Sequence, residues 1–362
     1  MHLVYFTHSL ASCWNHGNAH FLRGVLRELV ARGHDVAAYE PDQGWSRQNL
    51  IQEVGIDTAD AWQDAYPELS TTEYAAGTDP AELAHGAEIV IVHEWNKPEL
   101  VAALGAARRG GAPFILLFHD THHRAVSDPE AMRRYDLDGY DGVLAFGETL
   151  AEVYRGRGWG ERVFVWHEAA DTRLFQPPLQ VGRREGAVWI GNWGDGERTA
   201  ELETFLLAPT AAIGLKLDIH GVRYPEEALA LLARYGASYR GWLPNYEVPE
   251  VFARHLLTIH VPRRFYATQL PGIPTIRVFE ALACGIPLVC APWEDREGLF
   301  TPGADFLVAR DGAEMQSHLA ALVNEPDLRA RLATHGLETI QARHTCAHRL
   351  DELLAIVKRL EA

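Results

Sequence analysis

The sequence predicts an α/β protein of two tandem domains, each a parallel sheet covered by helices. Three observations carry this. The chain has 362 residues, more than one hydrophobic core usually serves. Short apolar runs alternate with amphipathic segments, the pattern of strands buried on both faces. The alternation stops once, near the middle, in a stretch of prolines, glycines and charges, and then restarts.

In the first half the apolar runs are residues 3–6, 36–39, 89–92, 114–118, 143–146 and 163–166. Between the first two, Phe21, Val25, Leu26, Leu29 and Val30 follow helical spacing, and Gly33 stands where a C-terminal glycine cap belongs. After Trp166 the text HEAADTRLFQPPLQVGRREG breaks the periodicity and reads as an interdomain linker. Runs at 188–190, 215–219, 256–261, 288–290 and 306–308 then build the second α/β unit. The division expected is 1–170, 171–344 and a terminal helix over 345–362, with Leu350, Leu353, Leu354, Val357 and Leu360 as the stripe that packs back on the first domain. Two such domains are expected to face each other across a cleft, a favoured place for ligands.

Composition narrows the function. Hydrophobic residues make up 47% and charged residues 23%, which is globular rather than disordered. The formal charge of -16 excludes nucleic-acid binding through a basic surface, so any phosphate site has to be local. Cys13, Cys284, Cys290 and Cys346 form no CxxC pair, which fits a reducing cytoplasm. The first residues, MHLVYFTHSL, carry no basic region ahead of a long apolar run, and no stretch is long enough to span a bilayer. A soluble cytoplasmic protein is expected, with peripheral membrane contact left open.

The segment TIRVFEALACGIPLVCAPWED, residues 275–295, carries the chemistry. Thr275 is an acceptable N-cap, and Gly285 with Pro287 stops the helix before the strand at 288–290. Arg277 and Glu280 lie three residues apart on a helix otherwise apolar at Ile276, Val278, Phe279, Leu282 and Ala283. One reading is a surface ion pair. The other is a helix whose N–H groups, at Thr275 and Ile276, point at an anion while Glu280 accepts from hydroxyls of the same ligand. A nucleotide sugar has both parts.

"RVFEALACGIPLV" resembles the E-A-x-A-x-G-x-P signature of the GT-B glycosyltransferases, in particular GT4-like members and the CgeB-like branch. "NAHFLRGVLRELVARGHDVAAYE" is similar to that family's first helix and its step into the second strand. "ADTRLFQP" resembles the segment before its second domain, and "WIGNWGDGERTAEL" stands where it has a Gly-rich diphosphate loop. The resemblance spans nearly the whole chain. It implies two Rossmann-like α/β/α domains, a UDP- or GDP-sugar as co-substrate, no metal or other cofactor, and retention of configuration. It also implies a donor bound by Glu280, Arg277, Thr275, Ile276, Gly191, Asn192, Trp193, Arg263 and Arg264, with Arg198 serving the departing diphosphate. Two departures stand out. Gly272 occupies the place of a Glu that contacts the donor sugar, and Gly191-Asn192 replaces the usual Gly-Arg.

"FHD" places His119 and Asp120 at a strand end, like the family's active-site His-Asp, and they are the first suspects for a base if the reaction inverts. His16, Gly17 and Asn18, in the loop before the first helix, are expected on the acceptor side; ordinary turn residues are the equal alternative. Histidines are dense here: His8, His16, His20, His93, His119, His122 and His123. A metal site is disfavoured, because no H-E-x-x-H occurs and adjacent His122 and His123 are expected to point different ways. The acceptor is unknown. The competing functions are a nucleotide-sugar epimerase or hydrolase and a catalytically silent nucleotide-sugar binder.

Overall fold

A computed structural model describes residues 1–179, 182–194 and 196–361. The chain divides into two compact units, Met1–Glu168 with Cys346–Ala362, and Ala169–Thr345. Each has the all-parallel α/β architecture of the GT-B fold. No helix among the described residues is long and apolar enough to cross a membrane.

The first unit holds seven strands: β1 (His2–Phe6), β2 (Asp35–Pro41), β3 (Thr72–Tyr74), β4 (Ile89–His93), β5 (Ile115–Asp120), β6 (Gly142–Ala145) and β7 (Val163–Val165). Their order is β3-β2-β1-β4-β5-β6-β7, so the direction of winding reverses between β1 and β4. Such a switch point is where ligands of open α/β sheets gather. The middle strands β4 and β5 are buried at every position, which is why they read as unbroken apolar runs. The first helix, Ala19–Ala31, ends in a Schellman motif: Gly33 has φ +79°, its N–H donates to Val30 O at 2.9 Å, and His34 N–H reaches Leu29 O at 3.1 Å.

The second unit holds β8 (Ala187–Ile190), β9 (Leu217–His220), β10 (Ser238–Gly241), β11 (Leu257–His260), β12 (Leu288–Cys290) and β13 (Leu307–Val308), in the order β10-β9-β8-β11-β12-β13. Its switch point lies between β8 and β11. Successive strand residues alternate between two cores. Val188, Ile190, Leu288 and Cys290 join Phe279 and Leu282 on one face. Trp189, Ile259 and Val289 join Leu319 and Leu322 on the other.

Three sequence expectations change here. The stretch after Trp166 is no slack linker: Ala169, Ala170 and Phe175 are fully buried, Phe175 beside Phe279 in the second core, and Ala170 bridges to Thr345. Gln180 and Val181 of that stretch lie outside the described residues. The terminal helix, Cys346–Glu361, lies within the first unit, where Trp166 Nε1 donates to Arg349 O at 2.8 Å. Its buried face is Leu350, Leu353, Ile356 and Val357, so Ile356 joins the stripe while Leu354 and Leu360 are only half-buried. Finally, β3 and β10 had no apolar run to announce them. Both are outermost strands with largely exposed residues, and an edge strand needs little hydrophobic signal.

Candidate functional site

The second unit gathers its polar groups at its switch point. Arg198 lies in the loop after β8 and is 8% exposed. Its Nη1 donates to Val261 O beyond β11 at 3.0 Å, and its Nη2 donates to Asn192 O beyond β8. It therefore ties together the two loops that flank the switch. Its guanidinium lies 4.9 Å from the Trp189 ring, and its buried Nε has no hydrogen-bond partner among the described residues. Burial, then the Arg263 guanidinium, lowers its pKa to about 9, so it is still a cation at neutral pH.

Glycines make this crowding feasible. A Cβ on Gly191 would meet Trp189 at 2.7 Å and Arg198 Nη2 at 3.2 Å. One on Gly221, where φ is +156°, would come within 2.2 Å of Gly191 O. The loop backbone thus lies directly against the guanidinium. Asn192 Oδ1 accepts from Val222 N at 2.9 Å and pins the same loop to the turn after β9. Asp195 of this loop lies outside the described residues.

The helix Ile276–Ala283 starts at the same place. Glu280 is fully buried and takes the Arg277 guanidinium across one turn, while the Arg277 side chain keeps 23% exposure. This pair is no surface ornament, because a fully buried carboxylate requires its partner. Thr275 holds the N-cap position but makes no side-chain cap; its Oγ1 lies 2.9 Å from His260 Nε2 instead. His260 ends β11 and is 5% exposed. Burial, with Arg198 and Arg277 nearby, lowers its pKa to about 3 and keeps the ring neutral.

Other expected donor residues are engaged by neighbours. Arg263 is taken by Glu197 at 2.6 Å, and exposed Arg264 is held by both oxygens of Glu201, at 2.9 and 3.1 Å. Trp193 is 6% exposed and packs on Tyr224, which withdraws its faces from a sugar ring. Gly272 has φ +98°, and a Cβ there would meet Arg296 at 3.0 Å, so the backbone at this position is unsuited to a Glu.

The first unit arranges its switch point differently. The expected strand 114–118 runs on to Asp120, so His119 and Asp120 lie inside β5 with no exposed surface. They end the strand, as expected, but are buried rather than open to solvent. His119 Nδ1 is 2.5 Å from Tyr5 OH, and its ring is flanked by Trp166, His93 and Phe21. Burial lowers its pKa to about 3, which makes it a poor base. Asp120 accepts from Tyr154 OH at 2.6 Å and from His122 N at 2.9 Å. Burial raises its pKa to about 6.

Beside it stands Glu94, a residue the sequence reading passed over. It is also fully buried, pushed upward by burial and by Asp120, and bridged to Arg124 at 3.1 Å. Its only sequence signal is its place immediately after an apolar run, in IVIVHE. His16 Nε2 lies 3.1 Å from Ser9 O, and Asn18 Nδ2 donates to Thr121 Oγ1 and, at 3.3 Å, to Thr121 O. Gly17, half-buried between them, shares this edge. The His8 and His16 rings are 3.9 Å apart, and those of His8 and His93 are 5.6 Å apart. The rings of His122 and His123 lie side by side at 4.0 Å rather than pointing apart. Among the described residues no group of three or more His, Cys, Asp or Glu is placed to hold a metal ion.

Comparisons with known proteins point the same way. Residues 198–355 match a family described as glycosyl transferase-like. No curated protein matches by sequence. Among solved structures, sucrose-phosphate synthase from Thermosynechococcus elongatus is similar with a TM-score of 0.69 at 15% identity, each chain covered to 99%. HepE of Anabaena in complex with UDP gives 0.69 at 13% identity, covering 99% of this chain and 100% of that one. The β-glucosyltransferase of phage T4 gives 0.60 at 12% identity, each covered to 99%. At these identities the likeness carries the GT-B fold.

Proposed function

We propose that this chain is a glycosyltransferase that takes a nucleoside-diphosphate sugar as donor and seats the diphosphate at the second switch point. The observation that carries the reading is Arg198, a buried cation bridging Asn192 O and Val261 O, whose Nε finds no partner among the described residues. An anion beside it meets that N–H, the N-terminus of the helix Ile276–Ala283, and the half-exposed Arg277. Glu280, one turn along, accepts from the ribose hydroxyls. The glycosyl transferase-like match over 198–355 and the UDP held by the similar HepE support this assignment.

The difficult step is cleavage of the sugar C1–O bond, which develops positive charge on the ring and negative charge on the departing diphosphate. Arg198, Arg277 and the helix N–H groups stabilise the second charge without a divalent ion, so the reaction is metal-independent. The GT4-like and CgeB-like resemblance of the 275–288 segment favours retention, in which the leaving phosphate helps deprotonate the acceptor on the same face. The burial of His119 and Asp120 also favours this, since neither is exposed to act as a base.

Gly272 favours a second reading, a nucleotide-sugar binder without turnover, because its backbone does not suit the sugar-contacting Glu that the GT4-like resemblance implies. Incubation with UDP-, GDP- and ADP-sugars decides between them. Slow donor hydrolysis or transfer supports the transferase. Binding without any turnover supports the silent binder, and a changed sugar supports an epimerase.

A further inference from the structure

Three side chains form a line behind the N-terminus of the helix Ile276–Ala283. Strands β11 and β12 place His260 and Cys290 side by side in register. Cys290 Sγ lies 3.1 Å from His260 Nδ1, and His260 Nε2 lies 2.9 Å from Thr275 Oγ1. Cys290 is 1% exposed and His260 5%, whereas Thr275 is half-buried at the outer end of the line. The Thr275 hydroxyl is not used to cap its own helix.

A neutral imidazole has one N–H and one acceptor nitrogen, so only two proton orders fit this line. In one, the thiol donates to Nδ1, the ring proton sits on Nε2 and is donated to Thr275 Oγ1, and the threonine keeps its own O–H to give away. In the other, Nδ1–H points at sulfur, Thr275 donates inward to Nε2, and only lone pairs face outward. Sulfur is a weak acceptor, and the second order leaves the buried thiol hydrogen without use, so the first is favoured. Burial holds the thiol in its protonated form, and burial, with the neighbouring guanidiniums, keeps the ring neutral.

We propose that Cys290 and His260 are positioning residues that fix the Thr275 hydroxyl as a hydrogen-bond donor to the bound diphosphate. This rests on the reading of the second switch point as a diphosphate seat. An outward O–H adds a donor at the helix N-terminus, beside the His260 ring on which the Arg198 and Arg277 charges act. The reversed order would present oxygen lone pairs to an anion.

The test joins a proton measurement to a binding one. Long-range proton–nitrogen correlation on ¹⁵N-labelled protein, with His260 assigned from His260→Gln, reports the ring's tautomer directly. The Nε2–H form is expected; the Nδ1–H form overturns the proposal. Calorimetry with UDP, GDP and ADP then compares variants. Thr275→Val is expected to weaken the best ligand about tenfold, as for a lost hydrogen bond to a charged group. Thr275→Ser and Cys290→Ser should restore nearly full affinity, and Cys290→Ala should not. If the wild-type protein binds and Arg198→Lys weakens binding while Thr275→Val does not, the relay fails and the diphosphate seat stands. If the wild-type protein binds none of the three, the seat fails and the relay with it.

Discussion

At the strand ends where the first sheet reverses its order lie imidazoles and carboxyls, most of them buried; at the matching point of the second sheet lie guanidiniums, a neutral histidine and a helix N-terminus. The first set is His8, His16, His93, His119, Glu94 and Asp120, with Arg124 bound to Glu94. The second is Arg198, Arg277, His260 and Thr275. The same topology thus gathers imidazoles and carboxyls in one unit and guanidiniums in the other. In the second unit even the histidine is kept neutral by burial and its arginine neighbours, so the positive charge belongs to groups that cannot lose it near neutral pH. An anion such as a diphosphate suits the second edge.

Substitutions can break this contrast. The largest effect is expected from Arg198→Met, which should weaken nucleoside-diphosphate binding by about a hundredfold, the upper range for charge-assisted hydrogen bonds. Asp120→Asn, in the first unit, should leave that affinity within about twofold. Calorimetry on both proteins checks the pair, and equal effects would erase the distinction. Next, Glu280→Gln should weaken donor binding about tenfold while circular dichroism stays unchanged, since Gln keeps the shape but loses the charge that orders Arg277. Unaltered donor affinity would remove Glu280 from the ribose.

The pH dependence sharpens the contrast from the side of stability. His8 and His119 have folded pKa values lowered to about 4 and about 3 by burial, against about 6.5 in the unfolded chain. Between those values the unfolded chain binds more protons, so stability falls as pH drops below about 6.5. Asp120 acts in the opposite sense. Its folded pKa, raised to about 6, exceeds the unfolded value of about 3.9, so its contribution is present at low pH and lost as pH rises through 6. The lowered imidazoles, His8, His16, His93, His119, His220 and His260, outnumber the raised carboxyls, Glu40, Glu94, Asp120 and Glu247. The midpoint of thermal unfolding is expected to fall by roughly 5 °C between pH 7 and pH 5, and His119→Gln should flatten that slope. The smallest effect is none at all: EDTA should leave sugar transfer unchanged, whereas loss restored by one divalent metal would overturn the metal-independent reading.

Much of this was legible in the sequence, for identifiable reasons. Central strands such as β4 and β5 are buried on both faces, so their apolar runs could not be missed, and the Gly33 cap was plain because only a left-handed residue closes that motif. The pairing of Arg277 with Glu280 followed from helical spacing. What stayed hidden depends on contacts distant in sequence. His260 meets Thr275 and Cys290 only through strand register, and Glu94 meets Arg124 only across the ends of β4 and β5. His119 and Asp120 were expected at a strand end, and they do end β5. Their burial was not legible, because it depends on Tyr5 and Tyr154, which are distant in sequence.

Calorimetric titration of the wild-type protein with UDP, GDP and ADP, each beside its matching nucleoside, addresses the cationic switch point most directly. At least one diphosphate should bind about a hundredfold more tightly than its nucleoside, because the proposed seat assigns Arg198, Thr275 and the helix N-terminus to the phosphates alone. A nucleoside that binds as well as its diphosphate, or no binding by any of the six, would contradict the account.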